Sequence, residues 1–312
     1  MTAVDIAPSA WTGRDDGPGP QHLRWHSAIS LDADGAPGAT AFVGFRSDEG
    51  VRRNRGRQGA AQGPVALRGA LGSMALSGPV RAFDAGDVAV TDTDLEAGQR
   101  RLGEVVTGLL DAGHFVAVLG GGHEVAFASY LGIANSTVRQ SAPRLGVLNL
   151  DAHFDLRGDP VPSSGTPFRQ MAECEAERGH RFNYAVLGIS QPSNTAALFE
   201  AADAVGCRYL MDDDCSLAAA EAFVTDFLGS VDSVYLTIDL DVLPAAVAPG
   251  VSAPAAYGVS LEVIQRACDL VAGSGKLALL DVAELNPGLD VDNRTARTAA
   301  RLIHRIVTGR KA

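Results

Sequence analysis

Eight short, nearly continuous apolar runs are spread along this chain, and most end in a Gly or Asp turn followed by a stretch with helical spacing. The runs occupy 39–45, 80–85, 114–120, 144–151, 183–189, 207–213, 233–241 and 276–285. Helix-period segments lie between them, as in 95–113, 196–206 and 261–275. A strand apolar on both sides must be covered on both sides, and strand–helix alternation is how a parallel sheet gains that cover. The pattern therefore predicts a parallel α/β fold. It leaves open whether eight units close into a barrel or lie in an open sheet. Both architectures place chemistry at the C-terminal ends of the strands. No Pro/Ser/Gly-rich linker divides the sequence, so one domain is expected over 1–312. Residues 1–30, with Trp11, His22, Trp25 and His26, read as an N-terminal extension packed on it.

Composition narrows the partners. Among 312 residues, 37 are acidic and 26 basic, a formal charge of −11, which argues against a nucleic-acid binder. No stretch approaches the roughly 20 apolar residues of a membrane span. The N-terminus carries neither the charged nor the apolar region of a secretory signal. Cys174, Cys207, Cys215 and Cys268 are widely spaced without a CxxC pair and read as free thiols in a reducing compartment. A cytoplasmic protein acting on a small molecule, without nucleic acid or membrane, is the expectation.

Four runs change character at their ends. Gly121-Gly122-His123-Glu124 follows the third, and Asp151-Ala152-His153-Phe154-Asp155 closes the fourth. Asp239-Leu240-Asp241 closes the seventh, and Glu284-Leu285-Asn286-Pro287 the eighth. Taken singly, each has an ordinary reading as a helix cap, turn or loop. Together they bring charged groups to one mouth of the sheet, where unpaired carboxylates are costly. Neighbouring carboxylates also raise each other's pKa unless a cation neutralises them. Four aspartates with two histidines supply four negative charges, matching two divalent cations. An oxygen-rich set with imidazole and no thiolate favours Mn²⁺ over structural Zn²⁺. In an extended backbone, Asp151, His153 and Asp155 would project to one side.

These motifs together resemble the ureohydrolase family of arginases, agmatinases and their formimidoylglutamate-hydrolysing relatives. The likeness runs from GFRSDEGVRRNRGRQGAAQGPVALR (44–68) to AELNPGLDVDNRTARTAARL (283–302). WTGRDDG (11–17), GGGHE where arginases read GGDHS, DAHFDLR (151–157), SSGTPFRQM (163–171) and APGVSAPAAYGVS (248–260) point to the formimidoylglutamate branch. The resemblance implies a three-layer α/β/α sandwich on a mostly parallel eight-stranded sheet. It implies one Mn²⁺ on His123, Asp151, Asp155 and Asp239, and a second on His153, Asp151, Asp239 and Asp241. A hydroxide shared by the ions would attack the amidine carbon of N-formimidoyl-L-glutamate, giving L-glutamate and formamide in histidine degradation. Glu284 would pair with the amidinium, and Asp155 would carry a proton to the leaving amine. Trimers or hexamers are usual among such relatives.

Two departures bear on substrate. Relatives with HGQP or HGTP carry a histidine where this chain has Ser164, and a serine cannot buffer a proton near neutral pH. Ser164 is therefore expected to position substrate rather than shuttle protons. Arg157 stands where arginases have an Asn, and a guanidinium suits a carboxylate while repelling a cationic tail. Arg52, Arg53, Arg55, Arg57 and Arg169 are weaker candidates, since charge runs usually form solvated faces. The alternatives are an arginase, agmatinase or other guanidino-acid hydrolase with the same metal site, or a non-catalytic protein of the same fold.

Overall fold

A computed structural model describes residues 4–32 and 37–311. Residues 1–3 of the expected extension lie outside the described residues. Each apolar run falls on a strand, β2 continuing four residues past its run and β1 one: β1 (Thr40–Arg46), β2 (Ala82–Ala89), β3 (Phe115–Leu119), β4 (Leu145–Leu150), β5 (Asn183–Ile189), β6 (Arg208–Met211), β7 (Ser233–Asp239) and β8 (Leu277–Ala283). They form one sheet in the order β2-β1-β3-β8-β7-β4-β5-β6. Every pairing between these strands is parallel, rather than mostly so.

Alternate residues of each strand enter opposite apolar layers, which separates the open sandwich from a barrel. Phe42, Leu148 and Leu150 face a layer built with the helices Gly63–Gly72, Leu217–Ser230, Leu261–Gly273 and Arg294–Gly309. Ala41, Val43 and Val147 face the other, with Leu95–Asp111, Val125–Asn135, Pro167–Glu177 and Ala196–Ala204. The result is a three-layer α/β/α sandwich. Helix Leu95–Asp111 shows the local logic. Asp94 accepts the Ala97 N–H at 3.0 Å as its cap. Leu95, Leu102, Val106 and Leu109 then recur on one face and are buried.

The N-terminal segment is tied to this body by its two tryptophans. Trp25 is fully buried in the short helix Trp25–Ala28 and meets Phe42 edge-on at 5.5 Å. Its Nε1–H donates to Nδ1 of His304 at 2.9 Å. Trp11 also packs on Phe42, at 5.4 Å, and donates to Asp84 of β2. His22 and His26 take no part in the sheet-end cluster described next.

The four strands whose sequences end in charged motifs are neighbours at the centre of the sheet, in the order β3-β8-β7-β4. Because all run parallel, their C-terminal ends open at one edge. That edge is where the candidate site lies.

Candidate metal centre

His123 enters from the turn after β3. Its Nδ1 lies 3.1 Å from Asp151, 3.0 Å from Asp155 and 3.1 Å from Asp239, each measured to Oδ2. The residue is buried, and Nδ1 has no hydrogen-bond partner. Its Nε2 lies 3.0 Å from the Thr237 hydroxyl oxygen. A proton on Nε2 therefore finds an acceptor there, leaving the Nδ1 lone pair towards the three carboxylates.

A second group lies beside the first. Nδ1 of His153 is 3.4 Å from Asp151 Oδ1 and 3.2 Å from Asp241 Oδ2. Asp151 is common to both groups, and within each group the ligand atoms lie within 4.8 Å of one another. The resemblance implied Asp239 in both sets. Asp239 Oδ2 gathers with His123, Asp151 and Asp155, and its Oδ1 turns towards Asp241, accepting that residue's N–H at 2.8 Å.

The backbone achieves this convergence differently from the extended arrangement expected of residues 151–155. The chain bends after β4, the His153 N–H turns back to Asp151 Oδ1 at 2.7 Å, and Asp155 adopts a left-handed φ of 49°. Glu284, at the end of β8, is likewise left-handed at φ 68°. Such backbone costs about 1–3 kcal/mol per residue and persists where the surroundings over-determine it.

The electrostatics without a cation are unfavourable. Burial, then the charges of its neighbours, pushes the Asp239 carboxyl well up, and Asp155 rises for the same reasons. Asp241 also rises, burial outweighing the pull of His153. Asp151 is the exception. Burial favours its neutral form, but His123 and His153 together hold it far below the usual carboxylate range. Burial alone would lower both histidines, yet the facing carboxylates hold them well above their ordinary value. A buried imidazole lone pair facing three carboxylate oxygens, with no hydrogen bond between them, is an arrangement that divalent cations satisfy. The residues fit such ions.

The cluster forms the floor of a cavity of about 400 Å³. Glu284, Arg157, Ser164, Asn54, Arg55 and Arg57 line its walls. Glu284 accepts the His123 N–H at 2.8 Å, and burial followed by the charge of Glu124 pushes its pKa up to about 8. Ser164 accepts a hydrogen bond from Asn54 Nδ2 at 3.1 Å. The Arg157 backbone bonds Gly165, while its guanidinium has no hydrogen bond or ion pair among the described residues. Arg169 points elsewhere, pairing with Glu173 one helical turn away.

A family model described as "Arginase family" matches residues 39–309. The chain belongs to the arginase family. A protein named formimidoylglutamase from Rhodococcus opacus is 65% identical, the match covering 99% of this chain and 98% of that one. One of the same name from Ralstonia nicotianae is 53% identical over 98% of this chain and 97% of its own. Among solved structures, a variant of Trypanosoma cruzi formiminoglutamase with Mn²⁺ has a TM-score of 0.81 at 28% identity, covering 92% of this chain and 97% of that one.

Within this arginase-family fold, several further polar residues support the cluster. Glu124 is buried beside His123, accepts from Ser47 Oγ at 2.9 Å and Gly50 N at 3.0 Å, and so anchors the loop after β1. Burial pushes its pKa up to about 7. Asn149 donates to Asp151 Oδ2 at 2.9 Å. Asp281 is buried in mid-strand and takes the Tyr235 hydroxyl. A carboxylate inside the apolar run 276–285 was a visible signal for Asp281, whereas Thr237 and Asn149 are uncharged and gave none.

Proposed function

We propose that this chain hydrolyses N-formimidoyl-L-glutamate to L-glutamate and formamide, using two Mn²⁺ ions per subunit, as a cytoplasmic step of histidine degradation. The observation that carries this reading is the charge layout of the cavity. An acidic, metal-suited floor stands beneath a wall bearing the unpaired guanidinium of Arg157. A molecule with a cationic amidinium and carboxylates at its other end matches both halves. The names of the relatives support the same reading.

His123, Asp151, Asp155 and Asp239 would hold one ion, and His153, Asp151, Asp239 and Asp241 the other. When bound, such ions supply Lewis acidity and water activated near neutral pH. Glu284 pairs with the planar amidinium and fixes its carbon over the floor. Asp155 carries the proton that the departing amine nitrogen needs, and its left-handed backbone aims the carboxylate at the cluster. Arg157 holds a substrate carboxylate, and Ser164, steadied by Asn54, completes that wall. A trimer or hexamer belongs to the same reading, and the mass in solution tests it.

The deciding experiment is turnover of the Mn²⁺-loaded protein on N-formimidoyl-L-glutamate, with arginine, agmatine and guanidinobutyrate run in parallel. Glutamate and formamide from the first alone are expected. Urea from a guanidino compound would reassign the substrate and the role of Arg157.

A further inference from the structure

The loop after β1 carries four arginines, and the structure separates them by what they touch. Arg52 pairs with Glu49 at 2.6 Å. Arg53 is bound to Glu49 at 2.9 Å, to Glu96 at 2.7 Å and to the Thr93 carbonyl at 2.6 Å. Arg57 donates Nε to the Ser252 carbonyl at 2.9 Å and Nη2 to that of Val251 at 2.8 Å. Those three hold the loop together. Arg55 has no side-chain hydrogen bond or ion pair among the described residues, and it lines the cavity.

Its backbone is unusual as well. Arg55 sits at φ 61°, a left-handed conformation that glycine or asparagine adopts at less cost. The loop does not leave it free to relax. Asn286 Nδ2 donates to the Arg57 and Gln58 carbonyls at 3.1 and 2.9 Å, and Asp48 accepts the Gly59 N–H at 2.7 Å. A braced turn thus presents one long cation to the cavity at a conformational cost, with no protein group to receive it. Arg157, on the segment after β4, lines the same cavity and presents another. Two unpaired guanidiniums above an acidic floor match two carboxylates on one ligand.

We infer that Arg55 is a specificity-determining residue that receives the substrate's side-chain carboxylate, while Arg157 receives the one next to the amidine-bearing carbon. This rests on the hydrolase reading above and adds which arginine of the loop serves it.

The test compares N-formimidoyl-L-glutamate with N-formimidoyl-L-glutamine, which lacks only the side-chain charge, on the wild type, Arg55→Asn, Arg55→Lys and Arg157→Gln. Asparagine tolerates the left-handed turn, so this variant removes the charge while keeping the loop. Arg55→Asn should lower kcat/KM for the glutamate compound roughly ten- to a hundredfold, chiefly through KM. The glutamine compound should change by less than about threefold, so that selectivity collapses. Arg55→Lys should recover part of it. An equal fall on both substrates would reduce Arg55 to a structural part of the loop and overturn the inference. So would unchanged selectivity, or a collapse in Arg157→Gln instead. A wild type that turns over neither compound defeats the hydrolase reading itself, and this inference with it.

Discussion

At the scale of single residues, the candidate ligands were legible because charge is conspicuous at the end of an apolar strand. His123, Asp151, His153, Asp155, Asp239 and Asp241 come together in two groups that share the buried Asp151, and all but Asp151 line one cavity with Glu284. The left-handed turns at Asp155 and Glu284 were not legible, since neither residue type announces such a backbone. Asp155→Asn keeps the shape and removes the proton acceptor. It should lower kcat by about 10²–10⁴ if Asp155 moves the proton, with bound metal measured by atomic emission to separate lost ligation from lost proton transfer. Near-normal turnover with full metal content would reject the role. Thr237 acts through His123 instead. Its hydroxyl oxygen is the acceptor facing Nε2, so Thr237→Val should loosen the imidazole and weaken Mn²⁺ binding by about ten- to a hundredfold. Calorimetric titration with Mn²⁺ reads this directly, and an unchanged affinity would show that packing alone orients the ring.

At the scale of elements, the strands were legible and their neighbours were not. Near-continuous burial of β1, β3, β4 and β7 is what the unbroken apolar runs require. Yet β3 lies beside β8, separated from it by more than half the chain, and no local pattern encodes that crossover. The glycines before His123 also acquire meaning only from the neighbouring element. Gly121 lies against the backbone that continues from β1, and a Cβ there would overlap the Ser47 carbonyl oxygen. Gly50 approaches Glu124 so closely that its own Cβ would strike the carboxylate. Gly121→Ala should therefore cost roughly 3 kcal/mol, at the upper end for overpacking. The same shift displaces the turn that carries His123, so Mn²⁺ affinity should fall with stability. Urea unfolding with and without Mn²⁺ measures both, and wild-type values would show that the strand-end backbone yields more readily than close packing implies.

At the scale of the whole molecule, the sandwich-or-barrel question had no answer in the run pattern, because both alternate strands and helices. Two apolar layers with helices on each face answer it. The sandwich in turn concentrates buried acid at one sheet edge, which ties global stability to pH. Glu124 is pushed to about 7 and Glu284 to about 8, burial being the first cause of each. Unfolded, both titrate near 4.3. Between about pH 5 and 8 the metal-free folded chain thus binds more protons than the unfolded chain, and its stability falls as pH rises. His123 and His153, held above their ordinary value, act in the same direction as pH climbs from their unfolded pKa near 6.5 through the folded one. Asp151, held low, acts oppositely, but its effect belongs below about pH 4. Divalent cations compete with these protons and replace them as counter-charge. Mn²⁺ at a hundred times its Kd contributes about 3 kcal/mol per site, and more of it is realised where fewer protons compete. The gap in Tm between Mn²⁺-loaded and chelator-treated protein should widen steadily from pH 5.5 to 8. Scanning calorimetry across that range tests this, and a gap independent of pH would mean that the acidic floor is neutralised by something other than divalent cations.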